Sequence, residues 1–179
     1  DRSSDSLALL RQMTKTFQNI SFSSSYSPPP ESGGKSNLRT TLGIFSYSLT
    51  ELEKIPVWAK DCEALILIEP STRQDGRRLL EWRQQLIEQG FEVWAPCTHQ
   101  GRCPLIQESK RDWCHDRIHV DLPEWLHAME AALPFKNATI TFSYLCLRKK
   151  KSPLAKSIWR ARLTGDLQKQ NGKYLQMVC

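Results

Sequence analysis

The residues with most chemistry to offer are the six cysteines of this 179-residue chain, three of which, Cys97, Cys103 and Cys114, crowd into one stretch, "APCTHQGRCPLIQESKRDWCH". Five residues separate the first pair and ten the second, so neither has the C-x-x-C spacing of a zinc ribbon or a thioredoxin. An irregular loop can still wrap an ion or a cluster, and thiolates select soft metals, which leaves zinc and an iron–sulfur cluster both open. A closed site needs a fourth ligand. His99, His115 and His119 are the local candidates; Cys62, Cys146 and Cys179 are the distant ones. Cys62 and Cys146 flank or sit in apolar strands and are expected to be core thiols. Cys179 follows "YLQMV" and can return to the loop. With six cysteines and no secretory start, ligands or buried thiols are expected rather than disulfides.

A second chemistry lies in "RKKKSPLAKSIWRAR", where Arg148, Lys149, Lys150, Lys151, Lys156, Arg160 and Arg162 stand with no acid among them. Trp159 lies between them and can stack on a base. The net charge of +6 comes entirely from residues 90–179, with 14 basic and 8 acidic side chains, since residues 1–89 carry 11 of each. Such one-sided basicity points to a polyanionic partner.

The elements that must position these groups alternate. "SSDSLALLRQMTKTF" spaces Leu7, Leu10, Met13 and Phe17 as a helix, with Ser4 or Asp5 as N-cap. A proline- and glycine-rich stretch, about residues 21–37, is expected to be a flexible loop. "TLGIFSYSLTEL" reads as a strand into a turn, and "ALILIEPS", apolar on both faces, as a central parallel strand. "QDGRRLLEWRQQLIEQG" is a helix with Leu79, Trp82, Leu86 and Ile87 on one side and Gly90 as its C-terminal cap. "FEVWAPC" is the next strand and delivers Cys97 to its end. The cysteine loop, residues 95–119, is followed by "LPEWLHAMEAAL", whose Leu122, Trp125, Leu126, Met129 and Leu133 make the cleanest helical stripe of the chain. "ATITFSYLCLR" is a strand, and the basic segment and hairpin, residues 148–179, turn at "QNGK". This order predicts an α/β fold with a mainly parallel sheet, whose ligands gather at the carboxyl ends of the strands. Asp1, Tyr47, Glu69 and Cys97 fall there. No run is long enough for a transmembrane helix, and no membrane partner is expected. The chain starts at Asp1 with its first methionine at Met13, so it is expected to be the C-terminal portion, residues 1–179, of a longer single domain.

Taken in order, "IEPST", "APCTH", "CPL", "DWCH", "TFSYLCL" and a final "LQMVC" resemble a methyltransferase-like family associated with the small ribosomal subunit in bacteria and mitochondria, from about residue 40 to the C-terminus. The resemblance implies a class I methyltransferase (Rossmann-like) fold, here N-terminally incomplete, with S-adenosylmethionine as cofactor. It also implies a 4Fe–4S cluster on Cys97, Cys103, Cys114 and Cys179, with zinc as the alternative metal. By the same resemblance Asp1 is the acid that receives the cofactor ribose, and Tyr47 faces the cofactor. No residue stands out as catalytic. Two functions follow: an active methyltransferase of small-subunit RNA, or an inactive assembly factor that docks on that RNA. The expected compartment is the cytoplasm for a bacterial chain and the mitochondrial matrix for a eukaryotic one. The chain departs from the family pattern at Ser71, Thr98 and Asp116, where glycine, proline and phenylalanine are preferred.

Overall fold

The computed structural model describes residues 4–17, 41–52, 54–134, 139–149 and 161–179. The chain forms two compact units, Asp1–Arg39 and Thr40–Cys179. In the first, helix α1 spans Ser4–Met13, so Ser4 and Asp5 lie in its first turn rather than at the cap. Of the expected stripe Leu7 is buried, whereas Leu10, Met13 and Phe17 are exposed. Asp1 and the loop expected near 21–37 lie outside the described residues.

The second unit is an α/β structure around one sheet. Strand β1 (Leu42–Ser46) pairs in parallel with β2 (Ala64–Pro70), in the register Ile44↔Ile66. Helix α2 (Arg73–Glu88) begins at Thr72, whose hydroxyl accepts the Asp75 amide, and ends before Gly90 at φ 96°. Strand β3 (Phe91–Ala95), the short helix α3 (Pro104–Glu108), strand β4 (Asp116–His119) and helix α4 (Glu124–Ala132) follow. Strand β5 (Thr139–Lys149) then returns through the middle of the sheet, giving the order β1-β2-β5-β3. It runs antiparallel to β2, β3 and β4. The sheet is therefore mixed, not mainly parallel: the apolar alternation of β5 marks it as a strand but carries no information about direction.

Leu65 and Leu67 of β2, Phe91 and Val93 of β3, and Leu145 and Leu147 of β5 form the core with Leu79, Trp82 and Leu86 of α2. Phe45 stacks on Trp58 at 5.1 Å. The stripe on α4 behaves differently. The helix forms, but none of its residues is buried, and Trp125 is 65% exposed. Strands β6 (Leu163–Gln170) and β7 (Lys173–Val178) make a separate two-stranded sheet. Their turn has positive φ at Asn171 and Gly172, 45° and 79°, the conformation for which Asn-Gly is selected in a two-residue hairpin turn. Among the described residues no helix is long and apolar enough to cross a membrane.

Candidate metal centre

Strands β3 and β4 share one edge of β5. Ala95 pairs with Cys146 and Asp116 with Phe142, four residues further back. At the rise of a strand these anchor points are roughly 13 Å apart. The cysteine loop is thus an excursion that leaves the sheet edge and rejoins it nearby. Cys97 stands two residues after one anchor and Cys114 two before the other.

Helix α2 holds the loop from inside. Arg83 is fully buried. Its Nε donates to Cys97 Sγ at 3.2 Å, and its two terminal nitrogens donate to Gly101 O at 2.8 Å and His99 O at 2.6 Å. Arg77, six residues earlier on the same helix, donates to Ser109 O at 2.8 Å and Asp112 O at 2.9 Å. Gln100 completes the free edge of β3, accepting from Val93 N at 2.8 Å and donating to Val93 O at 2.7 Å. Trp113 donates through Nε1 to Ser71 O at 2.7 Å, and its ring lies over Gly76, where an added Cβ would stand 2.7 Å from Trp113 Cδ1. Ser143 donates to Cys114 O at 2.8 Å.

The hairpin brings the fourth cysteine. Arg162 and Cys179 exchange both backbone hydrogen bonds, at 2.9 and 2.8 Å, extending the β6–β7 ladder by one pair. Thr98 Oγ1 donates to Cys179 O at 3.5 Å. The Arg162 side chain reaches back to Cys114 Sγ at 3.7 Å and pairs with Asp116. All three departures from the family pattern are occupied: Ser71 with Thr141, Thr98 with Cys179, Asp116 with Arg162.

Cys97, Cys103, Cys114 and Cys179 therefore share one neighbourhood. Burial raises the pKa of Cys97 against the lowering by Arg83, and Cys103 and Cys179 raise it further. Burial pushes Cys114 up to about 11 against Arg162, with Cys97 and Cys103 adding to the rise. As free thiols both stay protonated at neutral pH; a bound metal would remove those protons. Among the described residues no three His, Cys, Asp or Glu side chains are drawn tightly enough to grip an ion. Cys103 lines a cleft of about 360 Å³ between α2 and α3, with Leu80, Gln84, Arg102 and Ile106. Cys62 is buried in the core and Cys146 half-buried in β5, both raised by burial. The ring of His115 packs beside Trp113, and His119 is exposed on β4.

The carboxyl ends of β1 and β2 form a second polar corner. Tyr47 is 52% exposed and adopts φ 52°, which a non-glycine residue rarely does, and its amide donates to Ile68 O at 2.8 Å. Glu69 Oε1 accepts the amides of Leu49 at 3.0 Å and Ser48 at 3.3 Å, while Oε2 is buried without a partner. Burial raises the Glu69 pKa above the usual carboxylate value, against the lowering by those amides. The folded state then holds this proton to higher pH than the unfolded chain, so ionisation costs stability as pH rises through the raised pKa. Glu69→Gln is expected to flatten the loss of stability between the usual carboxylate pKa and the raised one, read by urea unfolding at a series of pH values.

The basic segment divides. Arg148 is 5% exposed, 4.0 Å from Glu92 and with its guanidinium 6.0 Å from the Trp94 ring centroid, so β5 takes it out of the expected surface row. Lys149 stands 4.0 Å from Glu63 and is half-buried. Lys150, Lys151, Lys156, Trp159 and Arg160 lie outside the described residues. Arg83 is the buried loop contact that composition and motifs do not single out, although its spacing offers a signal: Leu79, Trp82, Arg83 and Leu86 fall at i, i+3, i+4 and i+7.

A family model, Rsm22, described as mitochondrial small ribosomal subunit Rsm22, matches residues 33–179. No curated protein matches the chain.

Proposed function

As the chain belongs to the Rsm22 family of the mitochondrial small ribosomal subunit, we propose that it is a methyltransferase-like factor that docks on small-subunit RNA and carries a 4Fe–4S cluster on Cys97, Cys103, Cys114 and Cys179. One observation carries the metal reading. Arg83 is a fully buried cation whose donors go to one cysteine sulfur and two carbonyls, and among the described residues it has no carboxylate partner. Buried charges need counter-charge. Metal-bound thiolates supply it; a neutral thiol does not. Four thiolates are the usual cage of a cluster. When bound, the cluster supplies a tie between loop and hairpin together with a one-electron redox couple. The chain's own part is to bring the ligands in: Arg77 and Arg83 fold the loop, Trp113 seats it on α2, and the Arg162–Cys179 pair aims the hairpin.

The methyltransferase part is supported by the mixed sheet, in which an antiparallel strand is inserted between two parallel-running ones, as a class I methyltransferase sheet ends. S-adenosylmethionine is assigned to the carboxyl ends of the strands, where Tyr47 is exposed and Glu69 fixes the turn after it. The RNA contact is assigned to Lys149, Lys150, Lys151, Lys156 and Arg160. The family's description favours the mitochondrial matrix for a eukaryotic chain, with the cytoplasm as the alternative for a bacterial one.

Iron, sulfide and zinc analysis of anaerobically prepared full-length protein tests the metal centre. Iron and acid-labile sulfide are expected in the wild type and are expected to fall together in Cys97→Ser, Cys103→Ser, Cys114→Ser and Cys179→Ser. Stoichiometric zinc without sulfide sinks the cluster and leaves a structural clip. Labelling of small-subunit RNA from S-adenosylmethionine separates an enzyme from a docking factor on the same fold.

A further inference from the structure

We propose that Arg83 and Arg162 act as positioning residues that set the reduction potential of this centre from outside its ligand set, with Asp116 working against them. The inference rests on the four-thiolate cluster reading. Each arginine donates an N–H to one cysteine sulfur: Arg83 to Cys97 at 3.2 Å and Arg162 to Cys114 at 3.7 Å. Among the described residues these are the arginine and lysine contacts to the four sulfurs, and none is made to Cys103 or Cys179.

The two contacts are unequal. Arg83 is fully buried and among the described residues pairs with no carboxylate, and its charge faces Cys97 in a medium that screens poorly. Arg162 is partly exposed and shared with Asp116, whose negative charge offsets part of what Cys114 receives. Hydrogen bonds to sulfur, net charge and solvent exposure set the potential of an iron–sulfur centre. Reduction adds one electron and no proton, and hence one negative charge. A cation at the sulfur favours that state and a carboxylate nearby disfavours it.

The residues make a signed prediction. Arg162→Gln removes a cation and its N–H···S bond, so the potential is expected to fall. Asp116→Asn leaves Arg162 on Cys114 without its competitor, so the potential is expected to rise. Arg162→Lys keeps the charge but not the fork geometry and is expected to fall between wild type and Arg162→Gln. A tenfold change in the one-electron equilibrium corresponds to about 59 mV.

The test is an anaerobic redox titration of full-length, cluster-loaded wild type, Arg162→Gln, Arg162→Lys and Asp116→Asn, with iron and sulfide measured on each sample. Opposite shifts for Arg162→Gln and Asp116→Asn support the proposal, because a general loosening of the site moves both the same way. Unchanged potentials, or shifts of one sign, in samples that hold their iron and sulfide overturn it while leaving the cluster reading intact. Zinc in place of iron and sulfide in the wild type overturns the cluster reading and this inference with it.

Discussion

Replacing Arg83 with leucine is expected to lower stability by about 1–2 kcal/mol, because it leaves two loop carbonyls without their donors while stranding no charge. The substitution keeps the bulk of the side chain within the α2 stripe, so the loss comes from the loop rather than the helix. Gly101 O and His99 O are left without the donors that reach them at 2.8 and 2.6 Å, and Cys97 Sγ loses its N–H. An acceptor left unpaired in full burial costs about 1–3 kcal/mol, and these two carbonyls are part-buried, so water takes up some of their loss and together they cost about 2–4 kcal/mol at most. Leucine on an apolar stripe recovers part of this, since burying its side chain is worth about 1.5–3 kcal/mol. Urea unfolding of metal-free protein gives the stability change, and metal stoichiometry after loading gives the consequence for the site. A variant as stable as wild type that also loads normally would mean that the loop does not depend on Arg83.

Gly76→Ala is the second large effect, and its sign depends on two opposing terms. Alanine gains about 0.5–1 kcal/mol over glycine in a helix interior. The added Cβ would lie 2.7 Å from Trp113 Cδ1 and 3.0 Å from Ser143 Oγ, closer than atoms pack. Trp113 cannot swing aside without giving up its bond to Ser71 O, and Ser143 holds Cys114 O. Overpacking of this kind costs about 1–3 kcal/mol, so the variant is expected to be less stable by up to about 2 kcal/mol. The displaced ring belongs to the residue next to Cys114, so weaker metal retention than in wild type is expected as well. Thermal unfolding and iron analysis on one preparation check both. An unchanged midpoint with full metal content would show that the ring shifts freely.

Much of this architecture could be read in the residues, and what could not has identifiable causes. The cysteine loop stands out because thiols are few and three of them are local, whereas Cys179 is singled out as their partner only by the family resemblance. The Asn171–Gly172 turn was legible because few dipeptides accept two positive φ angles. Strand β4 was not: Asp116, Arg117, Ile118 and His119 carry no apolar alternation, and pairing with β5 alone makes them a strand. The reversal of β5 was hidden because strand pattern encodes faces and not direction. The stripe on α4 was legible as a helix but not as an uncovered one, since periodicity says which face is apolar and nothing about what lies against it. Arg148 looked like one cation in a row; the register that sets it opposite Glu92 on β3 is a long-range fact. Arg83 reads as a polar residue on a helix until its position on the apolar face is counted.

The excursion of the cysteine loop from the edge of β5 has a consequence for solubility. On that edge, Phe142 pairs with β4 and Cys146 with β3, and among the described residues no strand pairs with Ser143, Tyr144 or Leu145. The loop meets this gap at Ser143, whose hydroxyl donates to Cys114 O. Open strand edges recruit other chains. A molecule whose loop has let go thus presents a three-residue notch flanked by two paired strands, shaped to accept an extended segment of a neighbour. Release of the cysteine loop is therefore expected to turn a failure of the site into a tendency to aggregate.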